Sequence, residues 1–307
     1  MTTFQQRREA LTGSACLQKV EHAFREALQG IFGQLDWLPE GDGSIHRFHV
    51  PGDRVGSRNG WYVLFVDGVA AGAFGTWKSA QVHHWSSAGE LSATELEESR
   101  QRIEQARAQR QAEQQQRQQD AAELAQRWWS NARRADPAHA YLARKHIRSY
   151  ALRQRAGELL VPLYHSGELV NLQRISTTGR KRFLFGGRVT GCYSPLGQIT
   201  PGKLLYICEG WATGATIHES SGMAVACAMN AGNLMPVALA LTARYGDQVQ
   251  LVIAGDDDRN TPGNPGRTAA TAAALAAGAL VTFPEWPDDA PPSLTDFNDL
   301  HVWRAGA

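Results

Sequence analysis

The chain has 307 residues, 43% hydrophobic and 20% charged, which supplies apolar material for one or two cores and excludes a disordered segment. Lysines and arginines number 31 against 30 aspartates and glutamates, so the net charge of +1 gives no global pull toward nucleic acid, and any such pull must be local. Cys16, Cys192, Cys208 and Cys227 form no CxxC pair, the N-terminus MTTFQQRREALTG is polar, and no run approaches the roughly 20 apolar residues of a membrane span; a disulfide framework, a cysteine zinc site, a signal peptide and membrane insertion are all unexpected, and a cytoplasmic protein of two or three small domains is expected.

In chain order, Leu11, Leu17, Val20, Phe24, Leu28, Ile31 and Leu35 recur at helical spacing. From Gly41 to Trp85 the runs HRFHV, GWYVLFVDGVAAGAFGTW and VHHW, broken by Gly, Asp and Pro, predict a β-meander, so residues 1–90 form an N-terminal helix plus a small β unit. His46, His49, His83 and His84 stand there without cysteines and are taken as surface histidines; zinc is not expected. Residues 91–134 are rich in Gln, Glu, Arg and Ala without Pro or Gly and predict one long helix. Its middle, QRQAEQQQRQQD, has no apolar stripe, which predicts a solvated linker, with Trp128 and Trp129 anchoring its end to a core in preference to stacking on bases.

Residues 135–202 begin with the helical AHAYLARKHI and continue through LLVPLY and LVNLQRI, paired about His165-Ser166-Gly167, into KRFLFGG and VTGCYSPLG. Within 203–307, LLYICEG, MAVACAM, QVQLVIAG and ALVTFPE alternate with helical segments. Continuous apolar strands between helices predict an α/β fold with a mostly parallel sheet flanked by helices on both faces.

In such a sheet the ligand site lies beyond the carboxyl ends of the strands. Glu209 follows LLYIC directly, and Asp256, Asp257 and Asp258 follow VQLVIAG. Carboxylates crowded at adjacent strand ends repel one another unless a cation sits among them, and hard oxygen ligands suit magnesium or manganese. Upstream, Arg174, Arg180, Lys181, Arg182, Arg188 and Lys203 occur without any acid between Leu169 and Cys208. A basic flank beside an acidic cluster suits phosphates and metals together.

Ile207-Cys208-Glu209-Gly210, then Asp256-Asp257-Asp258-Arg259 and Thr295-Asp296-Phe297-Asn298-Asp299, resemble the acidic motifs of the TOPRIM family. AHAYLARKHI and GRKRFLFGG, in that order before the fold, resemble the opening helix and basic motif of the polymerase core of bacterial primases, as carried by plasmids, phages and integrative mobile elements. The resemblance implies a DNA primase that synthesises RNA primers on single-stranded DNA by two-metal catalysis. It implies Glu209, Asp256 and Asp258 as catalytic residues, and these with Asp296 and Asp299 as ligands of Mg2+ or Mn2+. Arg174, Arg180, Lys181, Arg182, Arg188 and Arg259 would contact nucleotide or DNA, with ribonucleoside triphosphates as substrates. No Gly-Lys-Ser/Thr phosphate loop is present, so the chain carries no helicase motor motif, and a separate replicative helicase as partner is what the resemblance alone implies. Two positions depart from the family: Thr213 stands where a further Asp is common, and Asp257 where Gly is usual, so Asp257→Gly is expected to be tolerated. A TOPRIM nuclease, or a non-catalytic DNA-binding protein keeping the fold, remains the alternative.

Overall fold

The computed structural model describes residues 3–66, 69–79, 81–87 and 93–306. Asp67, Gly68, Leu91 and the side chain of Leu11 lie outside the described residues. The chain divides into two compact units at Glu113/Gln114.

The first unit contains helix α1 (Thr3–Phe32) and strands β1 (His46–Phe48), β2 (Gly60–Phe65), β3 (Ala71–Thr76) and β4 (Val82–Ser86), an antiparallel meander in chain order. Period-two alternation sorts β2 between two faces: Tyr62 and Leu64 join Phe24 and Leu28 of α1, while Trp61 and Val63 pack with Ile45 and Ala73. Gly72 is required on the helix face, since a Cβ there would lie 2.7 Å from the Phe24 ring. On the opposite face, Arg107 stands 5.1 Å over Trp61 and Arg110 donates to the Ile45 carbonyl.

Those arginines belong to α2 (Ala93–Asn131), a single helix of 39 residues. Its Gln-rich middle is exposed, and the division between the two units falls inside the helix, within the span read as a linker. Farther on, Ala121 and Ala125 are buried and Leu124, Trp128 and Trp129 pack with Leu160, Leu172 and Leu184.

The second unit continues with β5 (Arg133–Arg134), α3 (Ala140–Lys145), β6 (Arg153–Arg155), β7 (Glu158–His165), β8 (Glu168–Ile175) and β9 (Lys181–Phe183). The five strands form an antiparallel sheet in chain order, with the hairpin at His165-Ser166-Gly167 as expected. Leu159, Val161, Leu163 and Ile175 face one core, and Leu160 and Leu172 face α2. Then follow β10 (Ser194–Leu196), β11 (Leu204–Cys208), α4 (Trp211–Ser221), β12 (Ala224–Cys227), α5 (Leu234–Tyr245), β13 (Gln250–Ala254), α6 (Pro265–Ala277), β14 (Leu280–Thr282) and α7 (Phe297–Gly306). Their sheet runs β10-β12-β11-β13-β14, parallel except for β10. Helix α4 covers the face carrying Cys208, Cys227 and Ala254; α5 and α6 cover Leu205, Ile207, Leu251 and Ile253. Cys192, Cys208 and Cys227 are fully buried free thiols, and burial pushes Cys192 up to about 11 and Cys208 well above the usual thiol value.

A fragment of residues 135–307 leaves Leu160, Leu172 and Leu184 uncovered, at roughly 1.5–3 kcal/mol for each fully exposed side chain. Thermal melts are therefore expected to show cooperative unfolding for a fragment of residues 114–307 and a markedly lower Tm for 135–307. Equal melting temperatures would show that the end of α2 adds nothing to this core.

Candidate active site

The parallel register aligns Cys208 with Ala254, so the residues leaving β11 and β13 emerge side by side. Glu209 lies at the first of these ends, Asp256 and Asp258 in the loop after the second, and Asp296 just before α7. Their fields overlap. Desolvation, Asp258 and Asp296 raise Glu209 to about 7; desolvation, Glu209, Asp296 and Asp258 raise Asp256 to about 9; and desolvation followed by Asp299 raises Asp296. Glu209 Oε1 and Asp256 Oδ1 are buried without a hydrogen-bond partner.

Local structure fixes the other two acids of the cluster. Asp258 Oδ2 accepts from the Gly266 amide at 2.8 Å, at the start of α6, where Asn264 is the capping residue. Gly266 cannot carry a Cβ, because one would stand 2.7 Å from the Asp256 carbonyl oxygen and 2.9 Å from Asp258 Oδ2. Asp296 Oδ1 accepts from the Asp299 amide at 2.8 Å, and Thr213 lies close enough to favour the charged form of Asp296. At the position where the resemblance places another acid, this chain therefore supplies a hydroxyl near an existing one.

Asp299 is differently engaged. Its Oδ1 pairs with Lys145 Nζ at 3.0 Å and its Oδ2 accepts from the Thr295 amide at 3.1 Å. Desolvation opposes the charge on Lys145, but Asp296 and Asp299 outweigh it and raise its pKa. Asn298, fully buried, donates to the Lys145 carbonyl at 2.8 Å and to Thr216 Oγ1 at 2.9 Å, tying α3 and α4 to α7. Lys145 and Asn298 are site components that sequence reasoning does not reach; the Lys in AYLARK and the Asn between two acids carry no periodic or spacing signal.

Asp257 leaves the cluster. Its Oδ1 takes Asn264 Nδ2 at 2.7 Å and Arg267 Nε at 3.0 Å, its Oδ2 takes Trp286 Nε1 at 3.0 Å, and its amide donates to the Thr295 carbonyl. Despite desolvation, these partners hold its pKa below the usual carboxylate value. These contacts weigh against the expectation that Gly would serve here, because the side chain joins three segments.

The basic residues also divide. Lys181 lies within the fields of Asp296, Asp256 and Asp299; partial burial holds it below the usual lysine value, although it keeps accessible surface. Arg182, its neighbour on β9, faces the opposite side with its cross-strand partner Arg174, which pairs with Glu158 at 3.4 Å and stands 5.7 Å from the Trp128 ring. Arg180 is exposed, and Arg188 donates to the Thr190 carbonyl. Arg259 lies 4.4 Å over Trp286 and donates to the Pro291 carbonyl, so its guanidinium braces the loop before α7.

In the first unit, Glu40, Asp42 and His46 bring ligand atoms within 4.8 Å of one another. A 2.9 Å hydrogen bond between His46 Nε2 and Asp42 Oδ1, with His46 stacked on Tyr62, accounts for the approach of these two.

Residues 204–306 match the Toprim domain family. That match covers the C-terminal third of the chain. Two curated Escherichia coli proteins, both named DNA primase TraC, are 34% identical to the chain over 284 and 281 residues, 85% of this chain in each case. The chain spans only 26% and 19% of their lengths. Among solved structures, the primase fragment of the bacteriophage T7 primase-helicase protein shares 17% identity at a TM-score of 0.39, covering 57% of this chain and 72% of that one. The DnaG catalytic core shares 14% at 0.38, covering 62% and 75%. No helix among the described residues is long and apolar enough to cross a membrane.

Glu209 Oε1 and Asp256 Oδ1, buried without donors among carboxyls that raise one another's pKa, have the chemistry of a divalent-cation site, although these acids do not bring three ligand atoms within 4.8 Å of one another. This has a consequence for stability. Folding raises Glu209 and Asp256 above their unfolded values, so the folded state binds more protons, and the associated stability is full below about pH 4 and is lost as pH rises through about 7 and 9. In EDTA the Tm is therefore expected to fall from pH 5 to pH 9, and added Mg2+ should flatten that slope. A slope identical with and without Mg2+ would show that these carboxyls do not take up the ion.

Proposed function

We propose that the chain acts as a DNA primase, a template-directed nucleotidyltransferase making short RNA primers on single-stranded DNA. The observation that carries this reading is the likeness to the two TraC primases over 85% of the chain, which extends well upstream of the Toprim domain. Geometry agrees with it. A Toprim domain alone offers acids, whereas here β9 and α3 of the preceding sheet region bring Lys181 and Lys145 to them.

Glu209, Asp256, Asp258 and Asp296 would hold Mg2+ or Mn2+, which when bound would offset the negative charge of a triphosphate and favour ionisation of the attacking hydroxyl. Glu209, with a pKa about 7, can hold or release a proton at its carboxylate near neutral pH. Lys181 would meet phosphate oxygens on the sheet side of the cleft, and the Thr213 hydroxyl would orient Asp296. Lys145 neutralises Asp299, which makes Asp299 a support for the α7 turn ahead of a metal ligand. Single-stranded template, ribonucleoside triphosphates, a separate helicase and a cytoplasmic setting complete the reading.

The test is incubation of the purified protein with single-stranded DNA, labelled ribonucleotides and Mg2+. Primer products are expected. Cleavage of the DNA without synthesis would replace this reading with a nuclease, and binding without either reaction would replace it with a non-catalytic protein.

A further inference from the structure

Behind the acidic cleft two sulfurs lie in contact. Cys208 ends β11 and Cys227 ends β12, and the parallel register sets them directly opposite each other. Both side chains enter the core under α4, are fully buried, and stand with their sulfurs 3.9 Å apart. Neighbouring strands lie about 4.8 Å apart, within the roughly 4.4–6.8 Å of Cα separation that a disulfide spans, so the pair can close by side-chain rotation and a small backbone shift. Cys192 provides an internal contrast. It is equally buried in the same core, but its sulfur donates to the Thr190 carbonyl at 3.8 Å and, among the described residues, is bonded to no second thiol.

Helix α4 rests on the pair because it offers no side chain there. A Cβ at Gly214 would collide with Cys227 Sγ and stand 3.1 Å from Cys208 Sγ. Cys208 Sγ also donates to the Gly210 carbonyl at 3.3 Å, and Gly210 is the N-cap of α4, with no side-chain cap bond. An uncapped first turn opens at lower cost than a capped one, and a molecule the size of water reaches the sulfurs when that turn lifts. The bond from Cys208 to Gly210 spans Glu209, so a change at the sulfur is passed to the turn that presents this carboxylate.

We infer that Cys208 and Cys227 form a redox-modification site, at which a small hydroperoxide converts the two thiols to a disulfide and displaces Glu209. With hydrogen peroxide, one sulfur attacks an oxygen, the O–O bond breaks, and that cysteine becomes a sulfenic acid with release of water. The second sulfur then displaces the sulfenic oxygen as another water, carrying off both thiol protons. Two thiols and one peroxide thus give one disulfide and two waters, each sulfur losing one electron and the peroxide gaining two. In the product the Cys208 sulfur no longer donates to Gly210, and the two sulfurs draw together beneath Gly214. Only the expected loss of activity rests on the primase reading; the site itself does not.

The test treats the full chain, in a Cys16→Ser background, with hydrogen peroxide in EDTA, then alkylates the remaining thiols in denaturant and maps peptides by mass spectrometry. A peptide pair joined through Cys208 and Cys227 and lighter by two hydrogens is expected, with Cys192 still alkylated. Primer synthesis should fall at least about tenfold in step with the linkage, since misplacement by roughly 1 Å can cost about a hundredfold, and dithiothreitol should restore it. Cys227→Ser, or Cys227→Ala if the buried hydroxyl prevents folding, should prime like the parent and resist peroxide. Unlinked Cys208 and Cys227 after treatment, or linkage to Cys192 in their place, would overturn the inference. Equal primer synthesis by the reduced and the fully linked protein would overturn it too. Linkage in a protein that makes no primers even when reduced would defeat the primase reading and leave the site standing, with a smaller Tm gain on adding Mg2+ as the sign that Glu209 has moved. Primer synthesis by a chain that never links would do the opposite.

Discussion

Asp256→Asn is expected to lower primer synthesis at least about a thousandfold, equivalent to roughly 4 kcal/mol of transition-state stabilisation. The same substitution should raise the metal-free Tm at pH 8. Asp256 is buried, its Oδ1 has no partner, and Glu209, Asp296 and Asp258 all oppose its ionisation, so at pH 8 the carboxyl must take up a proton on folding; neutral Asn avoids that cost while removing a cation ligand. Asp258→Ala should lose activity to a similar extent without that gain, because Asp258 Oδ2 also accepts the Gly266 amide at the start of α6. Primer assays and melts in EDTA on the two purified variants decide the matter. Synthesis at the parental rate by Asp256→Asn would remove Asp256 from the reaction, and a lowered Tm would show that its charge is stabilised by something other than a cation.

Asp257→Gly is expected to cost about 2–4 kcal/mol of folding stability, since it removes an ion pair and hydrogen bonds from a mostly buried carboxylate and leaves the Trp286 indole N–H without its acceptor. Activity should fall with it, because Asp256 and Asp258 are its chain neighbours. Urea unfolding monitored by fluorescence measures the loss. A midpoint within experimental error of the parent would mean that water replaces the carboxylate at no cost, and the family's usual glycine would then be interchangeable with Asp here.

Much of the Toprim half could be anticipated because its signals are short-range. LLYIC, AVAC and QLVIA are continuous apolar runs bounded by Gly or polar residues, and each predicted strand is present, with Glu209 and the aspartates at their ends. The helix α7 was not anticipated, since FNDLHVWRAG follows a Pro-rich stretch and has little apolar periodicity. The facing of the basic residues was not legible for a different reason. KRF is too short to show alternation, so only its pairing with β8 assigns Lys181 to the acids and Arg182 to the other side. Along α2 a signal existed, as Ala121, Leu124, Ala125 and Trp128 recur at helical spacing, but it occupies two turns of a helix otherwise dominated by Gln, Glu and Arg. The Lys145–Asp299 pair joins residues 154 positions apart, and no local pattern announces such a partner.

The three buried thiols give the protein a set of internal clocks. Cys208 and Cys227 lie on neighbouring strands just behind Glu209 with sulfurs 3.9 Å apart, and Cys192 is sealed in the same core. A bulky aromatic disulfide reagent cannot reach any of them while the sheet is closed, and the raised pKa values of Cys192 and Cys208 slow attack at those two further. In a Cys16→Ser background, the rate at which each sulfur reacts would therefore time the opening of its strand, and would report whether the floor of the Toprim sheet breathes locally or yields only when the whole unit unfolds.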